Sequence, residues 1–241
     1  MWRPSQFDAA AIRQFFQARD KHGLAPLVIH DSYLINLPAA DPVVRTRSIA
    51  AFRSELERAV ALRADYVVLH PGSARGQSIE EAIAMFARSI AEAARGLKLG
   101  ALRLLFENTA GGGAILRRTP EELHALRHAT QAAADLAVGF CLDTAHCFQA
   151  GLDFFKVFRA FDPADVPVIH ANDSRTAFGS RHDCHAQIGR GGLGREAFAR
   201  LLRYPSLRSK TFILETPVDK PGDDRRNVRA LRLLARPRKG V

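Results

Sequence analysis

The chain is poor in cysteine and has no long apolar run. Three cysteines, Cys141, Cys147 and Cys184, occur in 241 residues. An odd number without a C-x-x-C pair argues against a disulfide framework and against a zinc site built of cysteine alone. No run reaches the roughly 18 apolar residues of a membrane span, and the Met-Trp-Arg-Pro start carries no apolar signal core. A reducing, cytoplasmic setting without membrane contact is therefore expected. Acidic residues are also scarce, 25 against 35 Lys plus Arg, which leaves a net charge of +10. That balance favours an anionic partner. Arginine, the commoner cation here, pairs bidentately with phosphate, so nucleic acid ranks ahead of a small acidic metabolite. A generally basic proteome would give the same balance with no such partner.

What is present is a repeat. Six short apolar runs each end in an ionisable residue: LVIH at His30, YVVLH at His70, LLFE at Glu107, VGFCLD at Asp143, VPVIH at His170 and FILE at Glu215. Segments of helical periodicity lie between them, including residues 42–63, 78–97 and 119–136. Ser78 and Thr119 stand as N-caps, with Glu81 and Glu122 three residues later. Continuous apolar runs flanked by helices describe parallel strands buried on both faces. An open parallel sheet concentrates its site at one switch point, whereas a barrel gathers it from the carboxyl ends of many strands. Since all six runs end in a potential ligand, the expectation is an α/β fold, a TIM (β/α)8-type barrel forming a single domain over residues 1–241. Six strands are counted, preceded only by a helix from about Asp8 to His22 that Gly23 closes. The first strand, first helix and second strand of such a barrel are expected to be lacking, about 40 residues at these spacings.

The strand ends supply His30, His70, Glu107, Asp143, His170 and Glu215, the imidazole and carboxylate donors that suit zinc. Asp143 and His146 in DTAH are three apart and meet on one turn. Asp183 and His185 in DCH are two apart and point the same way on an extended loop. These nine groups are enough for three metals with some ligands shared. Any one of them is more often a cap or a hydrogen-bonded core group, but six in register are not, and crowded buried carboxylates repel without a cation between them. His22, His124 and His128 fall on helices, and His182 is open. GRGGLG (residues 189–194) fits the dinucleotide pattern G-x-G-x-x-G but follows a polar loop instead of a strand, so it is set aside. The glycines of AGGGA at 111–113 either let the backbone approach a ligand closely or only shape a turn. Tyr33 and Leu34, in HDSYLINLP after the first ligand, either wedge into a nucleic-acid stack or pack their own loop.

Taken together, HDSYLINL, VLHPGS, FENTAGGG, CLDTAHCFQAGLD, HANDSR, GSRHDCHAQIGRGGLG and ILETP resemble the successive signatures of the endonuclease IV family of zinc-dependent apurinic/apyrimidinic endonucleases, over residues 28–217. The resemblance implies three zinc ions, with Mn²⁺ a possible substitute. It assigns His30, His70 and Glu107 to one. Glu107 is shared with a second, held also by Asp143, His170 and Glu215, and His146, Asp183 and His185 hold the third. It implies hydrolysis of the phosphodiester 5′ to an abasic site in duplex DNA, leaving a 3′-hydroxyl and a 5′-deoxyribose phosphate. Water is the nucleophile, which Glu107 orients or deprotonates, and the flipped abasic nucleotide lies where Tyr33 enters the helix. A monomer is expected. Two departures stand out. Only residues 1–4 match the family's DNA-binding loop after its second strand, and Cys184 replaces an arginine, leaving Arg175 and Arg181 to supply cations at the phosphate path. Two rivals remain: a xylose-isomerase-like sugar isomerase or epimerase with one or two metals, which has no use for the His146, Asp183 and His185 triplet, and a non-catalytic DNA- or zinc-binding remnant.

Overall fold

The computed structural model describes residues 8–113 and 119–236; residues 1–4, matched above to a DNA-binding loop, lie outside the described residues. By compactness the chain divides into two units, one reaching to Glu107 and including residues 121–139, the other holding residues 108–113 and 140 onward.

Caps set the helices of the first unit. The Asp8 carboxylate accepts the Ala11 amide at 2.7 Å and Gly23 turns left-handed, so α1 (Ala9–His22) begins and ends as its sequence dictates. β1 (Val28–His30) follows. Asp41 accepts the amides of Val43 and Val44, and Pro42 starts α2 (Pro42–Ala61). After β2 (Tyr66–Leu69), Ser78 and Glu81 form a reciprocal capping box at the head of α3 (Ile79–Ala94). β3 (Arg103–Glu107) and α4 (Pro120–Ala133) complete this stretch. The three strands pair in parallel, Val28 opposite Tyr66 and Tyr66 opposite Arg103. α2 presents Phe52, Leu56 and Ala59 and α3 presents Phe86, Ile90 and Ala93, all fully buried where the two helices meet. Phe86 meets Phe106 of β3 edge-on at 5.3 Å.

The second unit takes β4 (Val138–Asp143) from Phe140, then α5 (Thr144–Gln149), α6 (Phe154–Phe158), β5 (Val168–His170), β6 (Asp173–Ser174), β7 (His185–Ala186), α7 (Gly194–Arg203), β8 (Thr211–Ile213) and α8 (Asp223–Leu234). β4, β5 and β8 pair in parallel, Cys141 opposite Val168 and Val168 opposite Thr211. Phe198, Leu231 and Leu234 join α7 to α8 over Ala171 and Ile188. All six apolar runs are thus parallel strands, although His70 lies one residue past β2 and Glu215 two past β8. The antiparallel pair β6–β7 has no counterpart in the sequence reading, because two-residue strands leave no period to read. No helix among the described residues is long and apolar enough to cross a membrane.

Candidate metal centre

In the first unit the parallel register delivers His30, His70 and Glu107 to the same strand ends. Both imidazole Nε2 atoms lie 3.0 Å from one oxygen, Oε2 of Glu107, and the two rings stand edge-on at 5.0 Å. Glu107 is wholly buried, so its charge has those two rings as neighbours in place of water. His30 Nδ1 donates to the Asp31 carbonyl at 2.9 Å, which leaves Nε2 turned inward to the Glu107 carboxylate, donating to it while the ring is protonated. Burial opposes a charge on His30, but the Glu107 carboxylate outweighs it and lifts the imidazole to about 9. Asp31, sealed beside it with Oδ1 3.6 Å from His30 Nδ1, is pushed up to about 7 by burial against the pull of both histidines.

In the second unit Asp143 ends β4 and caps α5, accepting the His146 amide at 2.7 Å. This is the turn expected to join the two. His146 Nδ1 donates to the Asn108 carbonyl at 2.8 Å and His185 Nδ1 to the Glu215 carbonyl at 3.1 Å. Their Nε2 atoms consequently converge on Asp183, at 3.2 and 3.3 Å, and His185 Nε2 lies 3.8 Å from Asp143. Burial raises the Asp183 carboxyl, yet the two histidines overcome it and hold that group far below the usual range. Burial likewise opposes charge on His185, and Asp183 with Asp143 carries it up to about 9. His170 departs from this pattern, since its Nδ1 faces Glu215 Oε2 at 3.1 Å.

Two asparagines that the sequence did not single out hold these donors. Asn108 accepts the Asp143 amide through Oδ1 at 2.7 Å, in addition to offering its carbonyl to His146. Asn172 donates to Asp143 Oδ2 at 2.5 Å and to Glu215 Oε2 at 3.2 Å, while its Oδ1 accepts the Glu215 amide. The available signal was position, an amide one or two residues past a strand-end ligand. Asp173 is the third omission. Its carboxylate accepts the amides of Gly189, Gly191 and Leu193, so GRGGLG wraps a side chain of the protein itself. A Cβ on Gly191 would sit 2.3 Å from the Ser174 carbonyl. At 111–113 the close approach is to the protein itself, since a Cβ on Gly112 would lie 2.9 Å from the Arg181 carbonyl.

The loop after β1 is anchored by buried Ile35 and Leu37 and leaves Tyr33 87% exposed, with Leu34 half-buried. Packing therefore accounts for Leu34 better than for Tyr33. Arg175 and Arg181 are both exposed on the β6–β7 loop, Arg181 in a left-handed conformation secured by its amide to the Gln149 carbonyl. His182 is exposed beside them, and His22, His124 and His128 lie on helices as expected. All three cysteines are free thiols, Cys141 and Cys147 buried.

The donor set fits divalent metal. The ligand atoms of His30, His70 and Glu107 lie within 4.8 Å of one another, as do those of Asp143, His146 and His185. Borderline imidazole and hard carboxylate together suit zinc or manganese, and inward Nε2 atoms with Nδ1 tied to backbone carbonyls are the usual supporting pattern of such sites.

Parallel strands with helices between them and His/Asp/Glu donors at the strand ends define a metal-site α/β-barrel protein, and residues 2–236 match the family model described as "Xylose isomerase-like TIM barrel". The chain belongs to that family and, within it, to the endonuclease IV group. It is 49% identical over 245 residues to a "Probable endonuclease 4" of Solibacter usitatus, spanning 98% of this chain and 84% of the relative. An "Endonuclease 4" of Thermus thermophilus is 39% identical, with coverage of 96% and 83%. A crystal structure of endonuclease IV from Thermus thermophilus superposes with a TM-score of 0.83 at 36% identity, covering 97% of this chain and 84% of that one.

Proposed function

We propose that this chain is a DNA repair endonuclease that hydrolyses the phosphodiester 5′ to abasic sites in duplex DNA, acting in the cytoplasm as a monomeric single-domain enzyme. The observation that carries the reading is the convergence of inward Nε2 atoms on carboxylates in both units, in a chain 49% identical to a protein named endonuclease 4. The ligand assignment follows the family pattern. His30, His70 and Glu107 hold one zinc, Glu107 with Asp143, His170 and Glu215 a second, and His146, Asp183 and His185 a third; Mn²⁺ can replace zinc. When bound, such metals supply positive charge at the phosphodiester oxygens and make a nearby water more acidic.

The residues then divide the work. Glu107 orients the attacking water and takes its proton. The water oxygen bonds to phosphorus as the bond to the 3′ oxygen breaks, and that oxygen takes a proton from solvent to leave as the 3′-hydroxyl while the phosphate stays on the abasic sugar. Asn108 and Asn172 keep the donors aligned. Tyr33, with Leu34 behind it, enters the helix at the lesion, where a missing base lowers the cost of extrusion. Arg175 and Arg181 neutralise neighbouring phosphates.

The direct test is a duplex carrying one stable abasic analogue, incubated with the zinc-loaded chain and with a chelated control. A single cut immediately 5′ to the analogue, leaving an extendable 3′ end and abolished by chelation, is the expected result. A folded, metal-loaded chain that binds this duplex without cutting it would be the non-catalytic remnant instead.

A further inference from the structure

Beside the donors of the second unit lies a concavity that the metal site does not use. It has a volume of about 480 Å³ and is lined by four cations, Arg190, Arg195, Lys220 and Arg226, against one acid, Asp223. That acid is already engaged, since Arg226 Nη2 approaches its carboxylate to 2.5 Å and the Lys220 amide donates to it at 2.8 Å. Among the described residues Arg190, Arg195 and Lys220 make no ion pair.

The floor beneath these cations is fixed. Asn227, 3% exposed, accepts the Ile188 amide at 2.9 Å and donates to Thr216 Oγ1 at 2.9 Å and Gln187 Oε1 at 2.5 Å. Gln187 in turn donates to the Pro217 carbonyl at 2.8 Å. The turn bearing Arg190 is pinned by the three amides that Asp173 accepts. Gly189 keeps that turn left-handed and clears room for Arg195, whose Cγ would lie 2.5 Å from a Cβ there. A merely solvated basic face would need none of this. The concavity begins at Gln187, two residues after His185, and its floor reaches Thr216, the residue after Glu215. An adjoining hollow of about 450 Å³ shares Gln187 and Arg190 with it and adds Arg175.

We propose that this pocket is a phosphate-binding subsite that grips a backbone phosphate of the DNA away from the bond being cut. The inference rests on the endonuclease reading for its ligand. Exposed cations on a pinned backbone, around a concavity whose only acid is neutralised, select phosphate by charge and by guanidinium geometry. The same chemistry would take a free polyanion, so the experiment separates the two sources.

The zinc-loaded wild type is compared with Arg190→Ala/Arg195→Ala/Lys220→Ala for affinity to abasic-analogue duplex across a salt series. A second triple, Arg159→Ala/Arg225→Ala/Arg229→Ala, removes equal charge from exposed positions outside the pocket. The pocket variant should bind about 10- to 100-fold more weakly at ~0.15 M salt and show a log–log salt slope shallower by about two to three. The outside variant should change by less than about threefold and keep wild-type incision. A pocket variant that matches the outside variant removes the subsite; if wild type still cuts, the endonuclease reading survives. Pyrophosphate binding lost in the pocket variant while its duplex affinity stays at the wild-type value would assign the pocket to a free polyanion and overturn the proposal. A wild type that binds no duplex overturns both.

Discussion

Glu107 is the residue on which the chemistry turns, a fully buried carboxylate whose Oε2 meets two imidazoles at equal distance. Glu107→Gln keeps the volume and hydrogen bonds but removes the base. Incision should fall by about 10³-fold while the thermal transition moves little, and near-normal turnover would remove its assigned role. The histidines give a pH prediction. Without metal, His30 and His185 keep their protons up to about pH 9 because carboxylates outweigh their burial. Their folded values exceed the 6.5 reference, so this stabilisation is fully present below pH 6.5 and is lost as pH rises through about 9. Metal must displace those protons, so zinc affinity should climb as pH rises toward about 9 and then level. A competition titration that found affinity independent of pH over this window would rule out the ligand assignment. Tyr33→Ala, at a side chain 87% exposed, should weaken binding to abasic duplex more than to intact duplex, as measured by fluorescence titration. Equal losses would mean that Tyr33 does not read the lesion.

Among the elements, parallel strands put the ligands in register and helices anchor the strands; β2 to β5 are largely buried, whereas β1 and β8 are only half-buried, short of the burial expected on both faces. Phe86 is fully buried on α3 and meets Phe106 of β3, so Phe86→Ala should cost about 3–5 kcal/mol in denaturant titrations, with metal content changed only through unfolding. A loss under about 1 kcal/mol would show that α3 does not hold β3 through this pair. These elements were legible in the sequence because each apolar run ends in an ionisable residue and helices carry cap signals, Gly23 closing α1 and Ser78 with Glu81 opening α3; the Asp41 cap of α2 was not read. The six strand-end candidates were chosen for the same reason, and His146, Asp183 and His185 for their spacing beside them. What was hidden is contact between distant residues. Nothing local in ENT or HAND tells that Asn108 reaches Asp143 and His146, or that Asn172 spans Asp143 and Glu215. The partner of GRGGLG, the Asp173 carboxylate 16 or more residues away, is likewise visible only in the fold.

For the whole molecule, part of the +10 charge gathers in one place. Arg175, Arg190, Arg195 and Lys220 line the two hollows next to the donors of the second unit, where the proposed phosphate subsite falls. The proposed function requires that the nine strand-end and loop residues hold three metals, because the isomerase alternative shares the barrel and needs only one or two. Zinc stoichiometry of the folded chain by native mass spectrometry, for wild type and for His146→Ala, decides between them. Saturation at three zinc ions in the wild type and at two in the variant, with the fold retained, is the expected outcome. Saturation of the wild type at one or two, unchanged by His146→Ala, would refute the three-metal centre.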